Sequence, residues 1–160
     1  MKKKISLILC LLLLASLLAA CGKDETGTKT FTCENLTLTI PASMKEDKDM
    51  LADTGFNFGL EGGGIFVLGL REDMSNFSDM SAMEYARLVV QANNLNGVPE
   101  DKGDYVLIKY TANVGTEYTY LACIYKNGSE FWMIQAGSFT TVFEKKEDTI
   151  LDIVTSGQID

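Results

Sequence analysis

Asp104–Ser138 reads DYVLIKYTAN VGT EYTYLACIYK NGS EFWMIQAGS, and no other part of the chain constrains the architecture as strongly. Three runs, Asp104–Asn113, Glu117–Lys126 and Glu130–Ser138, are rich in the aromatic and β-branched residues that fit a pleated surface. Val114-Gly115 and Asn127-Gly128 separate them, and Asn-Gly is a strong hairpin signal. The runs therefore predict an antiparallel meander. Bulky apolar residues occupy both alternating sets, Val106 and Ile108 against Tyr105 and Leu107, so the sheet needs cover on both faces.

The flanks supply that cover. Phe31–Cys33 is a strand candidate with a turn at Glu34-Asn35, and Leu36-Thr37-Leu38-Thr39-Ile40 alternates so that only one face is apolar before Pro41 stops it. Met44–Asp53 is charged and reads as an exposed loop or short helix. Its Asp47 and Asp49 lack the glycine and further ligands of a calcium loop. Gly55–Leu60 and Ile65–Arg71 form two strands around Glu61-Gly62-Gly63-Gly64, a hairpin turn rather than a phosphate loop, since no Gly-Lys-Ser/Thr follows. Ser81 and Glu84 have capping-box spacing and open a helix with Tyr85, Leu88, Val89 and Ala92 on one stripe, closed by Asn93–Gly97. Met80 and Met83 read as core filler rather than metal ligands. Thr141 and Glu144 repeat the capping-box spacing and predict a second helix to about Thr155, after which Gln158–Asp160 adds a short strand. The expected class is α+β: a single, largely antiparallel sheet of about six or seven strands with helices packed on it.

The N-terminus carries a different signal. Lys2, Lys3 and Lys4 precede the uncharged run Ile5–Ala20, sixteen residues long, which is short for a membrane span of about 20 and suits a signal peptide. Leu18-Ala19-Ala20-Cys21 resembles a bacterial lipobox. The resemblance implies lipidation of Cys21, cleavage before it, and loss of Cys10 with the signal. Two acyl chains at about 0.8 kcal/mol per buried methylene would hold such a chain at a membrane. The expected organisation is a lipoprotein signal peptide at 1–20, a lipidated tether at 21–30 and a single α+β domain at 31–160. The tether reaches at most roughly 30 Å, and the expected address is the extracytoplasmic face of the cell membrane.

Charge and missing residue types narrow the chemistry. Losing the three signal lysines takes the formal charge from −8 to −11, which argues against nucleic acid and against electrostatic adhesion to anionic lipid. The chain has no histidine, which removes His-based catalytic triads and His-based zinc sites. No cofactor or metal site is expected. Cys33 and Cys123, 90 positions apart, lie in a compartment where a disulfide is chemically permitted. Such a loop would contribute about 4–5 kcal/mol in the chain-entropy account. Two buried thiols are the equal alternative.

The order of elements, with Asn35–Ser43 (NLTLTIPAS), the mid-chain helix, Asn127–Ile134 (NGSEFWMI) and Ile150–Ser156 (ILDIVTS), resembles the PsbP-like fold. That fold is an α/β/α sandwich shared by photosystem II extrinsic proteins, a nuclear-transport factor that binds a small GTPase, and small bacterial lipoproteins. The resemblance implies a non-enzymatic, protein-binding or accessory role and transfers no functional residue. A protein partner at the membrane surface is the leading expectation. The alternative is a small-ligand-binding lipoprotein, with Trp132, Tyr118, Tyr120 and Phe131 as candidate pocket walls against a core reading of the same residues. Acidic pairs such as Asp73 and Asp79, or Glu144 and Asp148, are weak candidates for acid–base work, because no nucleophile–base pairing accompanies them.

Overall fold

The computed structural model describes residues 27–51, 55–77, 79–113 and 115–160; the expected signal segment, Cys21 and the first part of the tether lie outside the described residues. The meander forms as expected: β7 (Val106–Asn113), β8 (Glu117–Asn127) and β9 (Glu130–Phe139) pair antiparallel in sequence. The β8–β9 turn is Gly128-Ser129, with Gly128 at φ +62°, a backbone state that costs glycine nothing. On the far side of β9 the strands β4 (Phe58–Gly62) and β5 (Ile65–Asp73) form a second hairpin. Gly63 and Gly64 both have positive φ at its tip, as a primed two-residue turn requires. Two-residue strands β3 (Lys45–Glu46) and β6 (Glu100–Asp101) close the edges, giving the order β3-β4-β5-β9-β8-β7-β6.

Both faces of this sheet are packed, and different elements do the packing. One face contributes Leu121, Cys123 and Tyr125 from β8 with Trp132, Ile134 and Ala136 from β9. The other contributes Ala122 and Ile124 with Phe131 and Met133. On the second face lies helix α1 (Ala82–Ala92), which buries Tyr85 and Ala86. Its capping box forms: Ser81 Oγ accepts from the Glu84 amide at 3.1 Å, and the Glu84 carboxylate accepts from the Ser81 amide at 2.8 Å. The Ser81 amide, and then the Ser81 hydroxyl, which also donates to that carboxylate at 2.8 Å, hold the Glu84 carboxyl below its usual pKa. Tyr85 stacks on Phe131 at 4.4 Å, and its hydroxyl donates to Glu72.

The first face is covered by something the single-sheet expectation did not contain. β1 (Thr28–Cys33), β2 (Leu36–Pro41) and β10 (Gln158–Ile159) form a separate three-stranded antiparallel sheet in the order β1-β2-β10. The physical reason is in β2 itself. Leu36, Leu38 and Ile40 are fully buried while Thr37 and Thr39 face outward. A one-sided strand serves as a lid and would waste its threonines inside a two-sided sheet. Helix α3 (Glu147–Thr155) completes this layer with Ile150, Ile153 and Val154. It is preceded by a short turn of helix, α2 (Thr140–Phe143), so the continuous second helix expected from Thr141 is broken. The amides of Lys145 and Lys146 reach back three residues, to Val142 and Phe143, and the expected Thr141 cap does not form. Two further boundaries shift: β1 begins at Thr28 rather than Phe31, and Met44, expected in an exposed segment, is fully buried.

A polar node fastens the lid to the sheet. Trp132 is fully buried, and its indole N–H donates to Asn35 Oδ1 at 3.1 Å. The Asn35 amide nitrogen donates to Glu130 at 3.2 Å, and the Asp160 amide donates to the Asn35 carbonyl at 3.0 Å. Beside it, Arg71 on β5 donates to Glu34 at the hairpin tip and to Glu130 on β9. These bonds raise the Arg71 pKa and hold the Glu130 carboxyl below its usual range, chiefly through the Arg71 hydrogen bond. Asn35→Ala leaves a buried indole N–H without an acceptor. It is expected to cost about 1–3 kcal/mol, read from urea denaturation followed by the single tryptophan. Because the Glu130 pKa is depressed in the folded state, its stabilisation is complete above the unfolded carboxyl pKa, about 4.3. That stabilisation disappears as pH falls through the lower folded value. Glu130→Gln should flatten this acid limb of the stability profile, and an unchanged limb would contradict the assignment.

Candidate functional site

The face under α1 is only partly closed. Along β5 the buried residues Ile65, Val67 and Gly69 alternate with the half-buried Phe66, Leu68 and Leu70. α1 lies over the β7–β8 side, so the far end of this face is left open. The register gathers aromatic residues there: Phe66 pairs with Gly137, Gly137 with Tyr120, Tyr118 with Phe139, and Tyr120 with Tyr110. Gly137 is the enabling residue. A Cβ there would stand 2.9 Å from the Tyr120 ring and 3.1 Å from the Phe66 ring, so both rings meet over the glycine.

The rings contact one another in a continuous set. Phe66 meets Tyr118 and Tyr120 edge-on, each at 5.4 Å between centroids. Tyr110 stacks on Tyr120 at 4.9 Å and 3°, and Tyr118 stacks on Phe139 at 4.9 Å. The Tyr110 hydroxyl donates to Gln135 at 2.5 Å, and burial raises its pKa, followed by the neighbouring Tyr120. Tyr120 is raised likewise by burial, then by Tyr118. The Tyr110 hydroxyl is therefore a hydrogen-bond donor rather than a base. Two adjoining hollows lie on this surface. One of about 240 Å³ is walled by Met50, Phe66, Leu68, Tyr118 and Tyr120. The other, about 370 Å³, runs from Phe66, Tyr118 and Phe139 to Glu61 and the Gly62–Gly64 turn. Together they make a shallow aromatic trough.

The residues singled out from the sequence divide cleanly. Tyr118 and Tyr120 line the trough, whereas Trp132 and Phe131 are fully buried core. What separates them is face and strand position: Trp132 lies on the face covered by the second sheet, Phe131 lies under α1, and the trough residues lie toward the β7–β8 turn, beyond the reach of α1. Phe66 and Phe139 were not recognised, because neither stands out until β5, β8 and β9 are in register. The Asp73 carboxylate accepts from the Ser75 amide and Ser129 hydroxyl as a turn former, and Asp79 lines a second groove. Glu144 and Asp148 are exposed. Asp47 accepts from the Asp49 amide at 2.9 Å, which forms a turn. Among the described residues no group of three or more Cys, Asp or Glu side chains gathers to hold a metal ion. No described helix is long and apolar enough to cross a membrane.

The second groove, about 520 Å³, runs between α1 and the short 3-10 turn Ser75–Phe77 and is lined by Phe77, Met80, Leu88 and Arg87 among others. Phe77 and Leu88 are exposed there. Its apolar lining is Phe77, Met80 and Leu88, one ring among them, whereas the trough has four rings.

Cys33 and Cys123 are free thiols. Cys33 ends β1, and its pKa is raised by burial and then by Glu34 and Glu46. Cys123 lies in the core, where burial pushes its thiol up to about 12. Both environments disfavour the thiolate, which makes both thiols poor nucleophiles.

No family model matches this chain, and no curated protein matches it. Solved structures do. The chain resembles cyanobacterial PsbP (CyanoP) from Synechocystis, with a TM-score of 0.60 at 12% identity over 88% of this chain and 98% of that one. It also resembles the Ran-binding protein Mog1p of Saccharomyces cerevisiae, with a TM-score of 0.56 at 7% identity over 84% and 96%. The domain is therefore an α+β sandwich with the PsbP-like fold.

Alkylation of the native protein followed by peptide mapping is expected to leave Cys123 unmodified until the chain is unfolded, with Cys33 reacting slowly. A disulfide-linked pair of peptides containing Cys33 and Cys123 would contradict the free-thiol arrangement.

Proposed function

We propose that this protein is a lipid-anchored lipoprotein on the extracytoplasmic face of a bacterial cell membrane, where it acts as a non-enzymatic interaction or accessory module for a protein partner. The observation that carries the reading is the aromatic trough: a sheet sealed on one face by a second sheet and a helix leaves the half-buried rings of Phe66, Tyr118 and Tyr120 and the exposed Phe139 at one end of its other face. Exposed aromatic clusters of this kind mark recognition surfaces. The anchoring half of the proposal rests on the lipobox-like Leu18-Ala19-Ala20-Cys21 and the lysine-led apolar run before it. The fold is compatible with a binding role, since Mog1p is a Ran-binding protein, though at such low identity this is an analogy of architecture alone.

A small-ligand reading has one observation in its favour, the placement of Tyr118 and Tyr120 in the trough. Hollows of about 240 and 370 Å³ lie at or below the low end of ligand pockets, about 300–1,000 Å³, and the trough is shallow. Surface recognition fits better. Photo-crosslinking of the native chain in its own cells, with Cys21→Ala as the unanchored control, tests the proposal. One reproducible protein partner, depleted in the control, is the expected result. No reproducible partner from the anchored chain, together with a melting shift on small-ligand screening, would replace this reading with the ligand-binding one.

A further inference from the structure

The trough has a definite electrostatic character. Aromatic ring faces are electron-rich and attract cations laid on them. Elsewhere in the domain such pairs form: Lys109 stands 4.8 Å over Phe143, and Lys126 stands 5.7 Å over Phe131. Among the described residues none forms over Phe66, Tyr118, Tyr120 or Phe139. Lys146, beside the glycine turn, already donates to the Gly63 carbonyl. On the rim, the exposed Glu61 stands in register with Phe66, and the exposed Lys45 with Glu61. Around it the molecule is acidic, with a formal charge of −8 for the whole chain and −11 without the three leading lysines. An acidic domain concentrates cationic partners near its surface and repels anionic ones.

We propose that the trough docks a basic segment of a partner protein, with an arginine or lysine side chain laid across Tyr118, Tyr120 and Phe66. The inference rests on the interaction-module reading and names the chemistry of its partner. Charge complementarity selects the cation, and the rings give it a place to stack. A guanidinium suits the site best, because it is planar and weakly hydrated. Leu68 and Met50 beside the rings receive the aliphatic stem or a neighbouring apolar side chain.

The test uses the full chain in polyoxyethylene-detergent micelles and an acetylated heptapeptide with a central Leu-Arg-Leu, titrated by calorimetry. Counterparts carry citrulline, which keeps the planar shape without the charge, or glutamate; a neutral hexasaccharide is the fourth probe. The arginine peptide is expected to bind about fivefold or more tightly than the citrulline peptide. Binding should weaken with added salt, and the glutamate peptide should not bind. Phe66→Leu and Tyr120→Leu should each weaken the arginine peptide about fivefold, while Leu88→Ala in the α1 groove leaves it unchanged. Tyr118→Leu, at a more peripheral ring, is the second variant should either of the first two lower the melting temperature. Equal binding of the arginine and citrulline peptides would overturn the proposal. So would indifference to all three ring substitutions, no binding of the arginine peptide, or capture of the hexasaccharide in its place. A chain that captures a partner in cells yet ignores the arginine peptide overturns only the trough's occupant. A chain that binds the peptide at the rings but captures no partner in cells contradicts the module reading instead.

Discussion

Everything in this domain depends on how the β1–β2 hairpin is fixed to the seven-stranded sheet, and Asn35 is where that happens. The largest fully buried side chain is Trp132, and its N–H must find an acceptor. Asn35 provides it from the other sheet while its own amide and carbonyl engage Glu130 and Asp160. Arg71 adds a charged bridge between the hairpin tip and β9. Polar groups in this position contribute geometry more than energy. The apolar face of β2 supplies burial, but a run of Leu36, Leu38 and Ile40 would pack in several registers. The node selects one, and with it the placement of β10 against β2.

That arrangement makes the two faces of the main sheet unequal. One is closed by three strands and a helix from opposite ends of the chain, with Tyr125 donating a buried hydroxyl to the Val154 carbonyl at 2.7 Å to join them. The other is covered by α1, eleven residues long, with Phe56, Met74, Met80 and Leu95 from the segments around it, across a nine-to-eleven-residue span of strands. A helix rises 1.5 Å per residue and covers one stripe about 10 Å wide, so it cannot close such a surface. The open aromatic end follows from that shortage of cover, and Gly137 lets the half-buried rings of Phe66 and Tyr120 pack on one another instead of standing apart. The site is thus set on rigid strands, where ring positions are held by register rather than by loops.

Local signals in the sequence were legible and long-range ones were not. Two-faced apolar strands announced the meander, and Ser81 with Glu84 announced α1, because both patterns are decided by neighbours within a few residues. The same capping spacing at Thr141 misled, since Lys146 reaches Gly63 across 83 positions and the chain turns there. Threonines alternating in β2 signalled a one-sided strand without revealing that it would leave the main sheet. Met44 looked exposed among charges but fills the core where Gly62 makes room, a Cβ there falling 2.8 Å from the Met44 backbone. Of four aromatics considered for a site, the sequence could not divide core from surface: Trp132 falls on the face the second sheet covers, while Phe131 and Tyr120 share the other face and differ in whether α1 reaches them. Asn35 carried no local signal beyond that of a turn.

Native-state hydrogen exchange along β2 and β8 tests the central claim most directly. If the lid and the main sheet are locked into one cooperative unit, the protected amides of Leu36–Ile40 will exchange with the same opening free energy as those of Leu121–Tyr125, the free energy of global unfolding. Exchange of β2 through a separate opening well below that value, with β8 still protected, would show a detachable lid and contradict the account.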